Sequence, residues 1–174
     1  MRFILVLVLT GSGLAAAEAP AQWSKTPPSA RSVAGSPQLH PAGLIKHAAE
    51  LWKAGRRDDA VFWFYLGQLR YRAYLAAHPD LPKDRDPALF ASLMEVVGRP
   101  VNEYAFGDLP ALARTIGEVL AWDDAHPDAM TPKDTFGPQR DRIRRGLAQM
   151  RDEALAQADQ IRATRVRNGL TNQN

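Results

Sequence analysis

Residues 57–77, RDDAVFWFYLGQLRYRAYLAA, decide the fold. Val61, Phe62, Trp63, Phe64, Leu66, Leu69, Tyr71, Tyr74 and Leu75 lie on nearly every side of a helical wheel. A helix that is apolar all round belongs inside a protein, so this segment is expected to be the central, most buried element. His78-Pro79 stops it, because proline offers no N–H and its ring displaces the preceding turn. Upstream, Pro41 suits the first turn of another helix. Leu44, Ile45, Ala48, Leu51 and Trp52 follow at helical spacing, and Gly55 closes the segment. The two helices form a hairpin.

The rest of the chain reads as further helices around this centre. Asp86-Pro87 opens one with a stripe of Leu89, Phe90, Leu93, Met94 and Val97, and Gly98 is expected to end it. The connector from Gly98 to Asp108 is expected to hold one short helix starting at Pro100. Asp108 is a candidate N-cap for a helix that buries Leu109, Leu112, Ile116, Val119, Leu120 and Trp122. A last helix is expected over 138–168, with Ile143, Leu147, Met150, Ala154, Gln157 and Ile161 as a thin heptad-like seam. Its second half carries Arg162, Arg165 and Arg167 and few apolar residues, and is expected to protrude as a basic arm or to fray. The fold expected over 41–174 is therefore an all-α, single-domain bundle of about five main helices, ending in a long C-terminal helix.

Ala48, Leu51, Gly55, Ala60, Phe64 and small Gly67 stand where a tetratricopeptide repeat places its helix-packing residues. Residues 44–77 thus resemble a single tetratricopeptide-like hairpin. The resemblance implies two closely approaching helices; stacked copies of such a hairpin form a peptide-binding groove. The pattern occurs once, and its closing proline is displaced to Pro79. A single hairpin cannot make a solenoid, so the resemblance implies a repeat-like hairpin inside a bundle of another kind.

The N-terminus reads as an export signal. Met1-Arg2 precedes an apolar run from Phe3 to Leu9 and a small-residue stretch ending at Ala15-Ala16-Ala17. That is the three-part pattern of a secretory signal, with cleavage expected after Ala17 and Ala21 as the alternative. The apolar run is shorter than the roughly 20 residues needed to cross a bilayer. Residues 18–40, rich in Pro, Ala and Ser, are expected to be a flexible leader with Trp23 as its one large apolar side chain. The chain has no cysteine, which excludes a disulfide scaffold and a lipidated cysteine. Export without disulfides points to the periplasm or another secreted setting. The net charge is +3, or +2 once Arg2 leaves with the signal. Basic and acidic residues are interleaved, which argues against a nucleic-acid partner. No later segment is apolar enough for stable membrane insertion.

Three constellations hold side chains capable of chemistry. The loops at 77–84 and 125–134 share an Ala-His-Pro-Asp start and a later Pro-Lys-Asp. If the long helices alternate in direction, both loops lie at one end of the bundle. His78 and His126 are the candidate metal ligands there, but helix capping explains the same residues more simply, and no metal-ligand spacing is present. The connector offers Arg99, Asn102, Glu103, Tyr104 and Asp108, with Glu103 and Asp108 as the candidate catalytic acid and base. In the central helix, Arg70 and Arg72 sit among aromatics, with Glu50, Glu95 and Glu103 as expected ion-pair partners. No cofactor motif, serine elbow or phosphate-cradling loop is present.

The function expected from these features is a non-catalytic, exported protein-binding module, an adaptor or an inhibitor or immunity-type protein. Its expected partner contacts are Arg99, Asn102, Glu103, Tyr104, Asp108, Arg162 and Arg165. The alternative is a hydrolase of envelope or cell-wall polymers that uses the connector carboxylates. A further reading has the Arg-rich tail touching anionic lipid or cell-wall polymer.

Overall fold

A computed structural model describes residues 39–173. The expected signal peptide, 1–17, and all but the last two residues of the expected leader lie outside the described residues. Among those described there are seven α-helices and no strand: α1 Pro41–Lys53, α2 Arg57–Ala77, α3 Asp86–Leu93, α4 Arg99–Ala105, α5 Leu109–Ala125, α6 Lys133–Ala156 and α7 Ala158–Arg167. A π-helical turn, Met94–Gly98, joins α3 to α4. The expected all-α bundle is what forms.

The centre is α2, which is buried continuously from Asp58 to Gly67 and packs on α1, α4, α5 and α6. Its approach to α1 is close because position 67 is a glycine. A Cβ there would stand 2.7 Å from Ile45 Cγ1 and 3.0 Å from the Ile45 backbone nitrogen. Gly55 turns the chain between the two helices with φ of 76°, a left-handed conformation that other residues resist. The ordered start lies slightly before Pro41: Leu39 packs on Gly43, and His40 caps α1 by accepting the Ala42 N–H on Nδ1.

Helix direction alternates along the chain. The starts of α1 and α3 meet the end of α2, where His40 Nε2 lies 3.2 Å from Asp86 Oδ1 and the Tyr71 hydroxyl donates to the same oxygen at 2.8 Å. The end of α4 returns to the start of α2. Helix α5 then runs back down and α6 returns. The bundle thus has a connector end, holding residues 53–58, 102–109 and the C-terminus, and an opposite end holding residues 70–86 and 120–140.

Three sequence expectations need correction. Of the expected stripe, Phe90, Leu93 and Met94 are half-buried against the core and Val97 is buried, while Leu89 is 40% exposed instead of packed. Gly98 does not end a helix either. The chain stays helical through it (φ −68°, ψ −38°) into α4. Pro100 supplies no N–H and would crowd the carbonyl of Val96, and the wider π turn accommodates it. Gly98 is small for packing instead, since a Cβ would meet Phe64 Cζ at 3.0 Å.

The last helix is two helices. α6 begins at Lys133, ahead of Pro138, with non-helical geometry at Phe136 (φ −119°, ψ 21°) that lets Pro138 follow. It ends at Gln157 (φ −104°, ψ 19°), the polar member of the seam. The break redirects α7, in which Ile161 joins the core at 5% exposure. The expected protruding arm is therefore packed down.

Candidate functional site

At the connector end, four helix termini place their side chains together. Asp108 caps α5 by accepting the Ala111 N–H on Oδ1 at 2.9 Å. The Tyr65 hydroxyl donates to Asn102 Oδ1 at 2.9 Å, and burial raises the Tyr65 pKa, so the hydroxyl keeps its proton and remains a donor. The Tyr104 hydroxyl donates to Asp58 Oδ1 at 2.7 Å. These bonds fasten α4 to α2.

A stacked trio stands at the rim. The Trp52 and Tyr104 rings meet edge to face, 5.7 Å apart. The Arg57 guanidinium lies 5.2 Å from the Trp52 ring centre and 5.6 Å from that of Tyr104. All three are half-buried. Beside them Arg56 grips Asp59 Oδ2 through Nε and Nη2 at 3.0 and 2.7 Å. Helix α1 ends in Trp52 and the turn at Gly55 delivers Arg57 opposite it, so the trio follows from the hairpin geometry. Sequence reasoning assigned Trp52 to the core and did not single out Arg57; an Arg-Arg pair just after the turn, next to a terminal Trp, was the available signal.

Helix α7 and the residues after it close this end from the other side. Arg165 is 2% exposed and donates to the Glu103 carbonyl at 2.8 Å, the Thr171 carbonyl at 2.8 Å and Asn172 Oδ1 at 3.1 Å. The Gln173 N–H donates to the Gly107 carbonyl at 2.8 Å. Burial lowers the pKa of Arg165, with the Glu103 carboxylate acting in the opposite sense. Gly107 must be small here, because a Cβ would meet the Tyr104 carbonyl at 2.9 Å and Arg165 Nη2 at 3.2 Å. Arg165→Ala is expected to cost about 2–3 kcal/mol, the range for removing a charged donor from buried acceptors. Urea unfolding measures it, and amide exchange at 169–173 should quicken.

The structure thus brings Asn102, Glu103, Tyr104, Asp108 and Arg165 to one end. Arg165 faces inward. Arg99 stands a turn away and pairs with Glu95, while Arg162 pairs with Asp159 at 3.2 Å in solvent.

The opposite end holds a feature that sequence reasoning missed. Asp123, 3% exposed, accepts from three guanidiniums: Arg70 Nε at 2.9 Å, Arg140 Nη2 at 3.1 Å and Arg144 Nη1 at 2.6 Å. Arg70 also reaches the His126 carbonyl, Arg140 that of Thr131, and Arg144 that of Leu120. Asp128 accepts the Thr131 hydroxyl at 2.6 Å. The expected partners of Arg70 were Glu50, Glu95 or Glu103; the partner is Asp123. Helices α2 and α5 both end here, so the last turn of α5 lies beside Arg70, while Glu50 and Glu103 lie toward the connector end. A cleft of about 500 Å³ opens over this network, lined by Asp123, Asp124, Lys133, Arg140, Asp141 and Arg144 among others.

The two His-Pro loops do lie at this same end. The His78 ring lies 5.3 Å from that of Phe136, and His126 stacks on Trp122 at 3.8 Å. Each imidazole packs on an aromatic ring. Among the described residues, no group of three or more His, Cys, Asp or Glu side chains is placed to hold a metal ion. No helix among them is long and apolar enough to cross a membrane.

No protein-family model matches the chain, and no solved structure does. An uncharacterized protein of Haemophilus influenzae is 36% identical over 92 residues, which is 52% of this chain and 35% of that protein. The chain thus matches only about a third of that relative's length.

Proposed function

We propose that the protein is an exported, periplasmic binding module of the adaptor or inhibitor type, and that it grips a protein partner through the connector end. The observation that carries this reading is the Trp52–Arg57–Tyr104 trio. Trp, Tyr and Arg are the residues that dominate protein interface energetics, above all where they cluster in a desolvated pocket. Here the guanidinium is already held against both rings, so little side-chain freedom is lost when a partner arrives. Asn102 and Glu103 flank the trio as polar rim. A tetratricopeptide-like origin for the hairpin would accord with such a role.

The hydrolase alternative has less behind it. A carboxylate pair needs both members available to the substrate, and Asp108 is engaged as the α5 cap.

The test is capture from envelope extract with the tagged mature protein and with a Trp52→Ala/Arg57→Ala variant. Wild type should retain one protein in near-equal amount, and the variant at least about tenfold less, as expected for removing two hot-spot side chains, with an unchanged circular-dichroism spectrum. Equal retention by both proteins would remove the connector end as the contact. Glu103→Gln should leave retention within a few-fold under the binding reading, whereas a polymer hydrolase would lose turnover.

A further inference from the structure

Arg165 is 2% exposed, yet its three partners are all neutral oxygens: the carbonyls of Glu103 and Thr171 and the side-chain oxygen of Asn172. The other arginines buried among the described residues, Arg70 and Arg140, each meet the Asp123 carboxylate, at 2.9 and 3.1 Å. Neutral oxygens satisfy the N–H groups of a guanidinium but return no charge, and a charged acceptor makes a bond roughly twice as strong. The Glu103 carboxylate attracts Arg165, but the atom of Glu103 that accepts from it is the backbone carbonyl.

The placing of two of these oxygens carries the inference. Asn172 Oδ1 takes Nε at 3.1 Å and the Thr171 carbonyl takes Nη2 at 2.8 Å. Nε and Nη2 form one edge of the guanidinium, an edge that a carboxylate grips with both oxygens. Residues 171–172 therefore fill a carboxylate's place with two neutral acceptors. The next residue, Gln173, gives its N–H to the Gly107 carbonyl at 2.8 Å. This strap is lightly held. None of residues 169–173 is fully buried, and the chain leaves α7 at Gly169 with φ of 75° and open space around it. Segments with few buried contacts open at the lowest cost. The seat beneath is firmer, because Arg165 is also tied to α4 through the Glu103 carbonyl.

We propose that residues 169–173 are a displaceable strap over a seat for an acidic side chain of the partner. The partner's carboxylate takes Arg165 Nε and Nη2 in place of Asn172 and Thr171. The backbone N–H that follows it takes the Gly107 carbonyl in place of Gln173. That second bond selects an Asp or Glu within a chain over a C-terminal carboxylate, which has no N–H after it. The strap keeps the seat closed until such a segment arrives. This rests on the reading that the connector end grips a protein, and adds what that protein presents there.

The probes are two blocked peptides, acetyl-Gly-Leu-Thr-Asp-Gln-Gly-amide and its counterpart with Asn for Asp, added to the full chain at constant ionic strength. The Asp peptide should move the Arg165 Nε–H signal to saturation and the Gln173 amide signal toward its random-coil position. It should bind at least about fivefold tighter than the Asn peptide. Asn172→Ala, which loosens the strap and leaves the seat intact, should strengthen the Asp peptide by about threefold. Glu103→Gln removes a like charge near the guest and should strengthen it by about twofold. Equal binding of the two peptides, an Arg165 signal that never saturates, a Gln173 signal that stays in place, or an Asn172→Ala variant that binds no tighter would overturn the proposal. These readings need no partner protein. Failed capture through Trp52 and Arg57 therefore leaves the seat standing, and failed peptide binding leaves that capture standing.

Discussion

Asp123→Asn is expected to lower the melting temperature by about 10 °C or more. The carboxylate is the shared acceptor of Arg70, Arg140 and Arg144, which come from α2 and α6 while Asp123 itself ends α5. Removing one partner of a buried pair typically costs about 3–5 kcal/mol, because the opposite charge is left without compensation. An asparagine keeps the shape and one acceptor but returns no charge, so three guanidiniums would face a neutral group. Asp124→Asn is the matched control. That side chain is 62% exposed and its loss should move stability by no more than about 0.5 kcal/mol. Thermal unfolding followed by circular dichroism separates the two. Raised salt should not rescue or mimic the Asp123 effect, since buried pairs are weakly screened. If Asp123→Asn melts within about 2 °C of wild type, the network is not what holds this end together.

Gly67→Ala should destabilise the protein by about 2–3 kcal/mol, against the helix-propensity rule, because overpacking outweighs propensity. In an open helix interior the same change gains up to about 1 kcal/mol. The difference lies in what the added methyl meets. Ile45 Cγ1, 2.7 Å away, can rotate aside, but the Ile45 backbone nitrogen at 3.0 Å cannot, so α1 must move away from α2. Gly117 sits in α5 with nothing within 4 Å of a Cβ, and Gly117→Ala should stabilise by about 0.5–1 kcal/mol. Opposite signs for one substitution in two helices, read from urea midpoints, would establish that the hairpin's close approach depends on Gly67. Matching signs would show that α1 shifts freely.

Much of this architecture was legible in the residue pattern, and the reasons are local. A helix apolar on every side has to be central, and α2 is. Asp108 preceding Leu109 and Pro110 reads as a cap because a short acceptor beside a helix start satisfies free N–H groups, and it is one. The His-Pro loops were placed at one end by alternation alone, and His78 does meet Phe136. Periodicity failed where local pattern and packing part company. Leu89 has helical spacing, yet α3 lies at the margin and leaves that side chain 40% exposed. Gln157 fits a heptad count, yet the helix breaks there, and only the break lets Ile161 and Arg165 turn inward.

The candidate sites were legible only in part. The connector residues could be named because polar groups crowd a short segment between glycines, and the fold does gather them with Arg165. Trp52 and Arg57 were not read as a pair, since their stacking needs Tyr104 from α4. Asp123 was not read at all, because nothing near it in sequence needs a carboxylate.

The order of hydrophobic and helix-breaking residues by itself determined that this protein is helical, where most helices begin, and which one lies at the centre. Those properties depend on interactions a few residues apart, namely side-chain spacing, caps and prolines. Tertiary structure alone decided that α7 packs inward, that Asp123 serves three arginines, and that Arg57 lies against two touching rings. Each of those depends on groups tens of residues apart, and burial gives a charged group its energy only once the packed helices have excluded water around it.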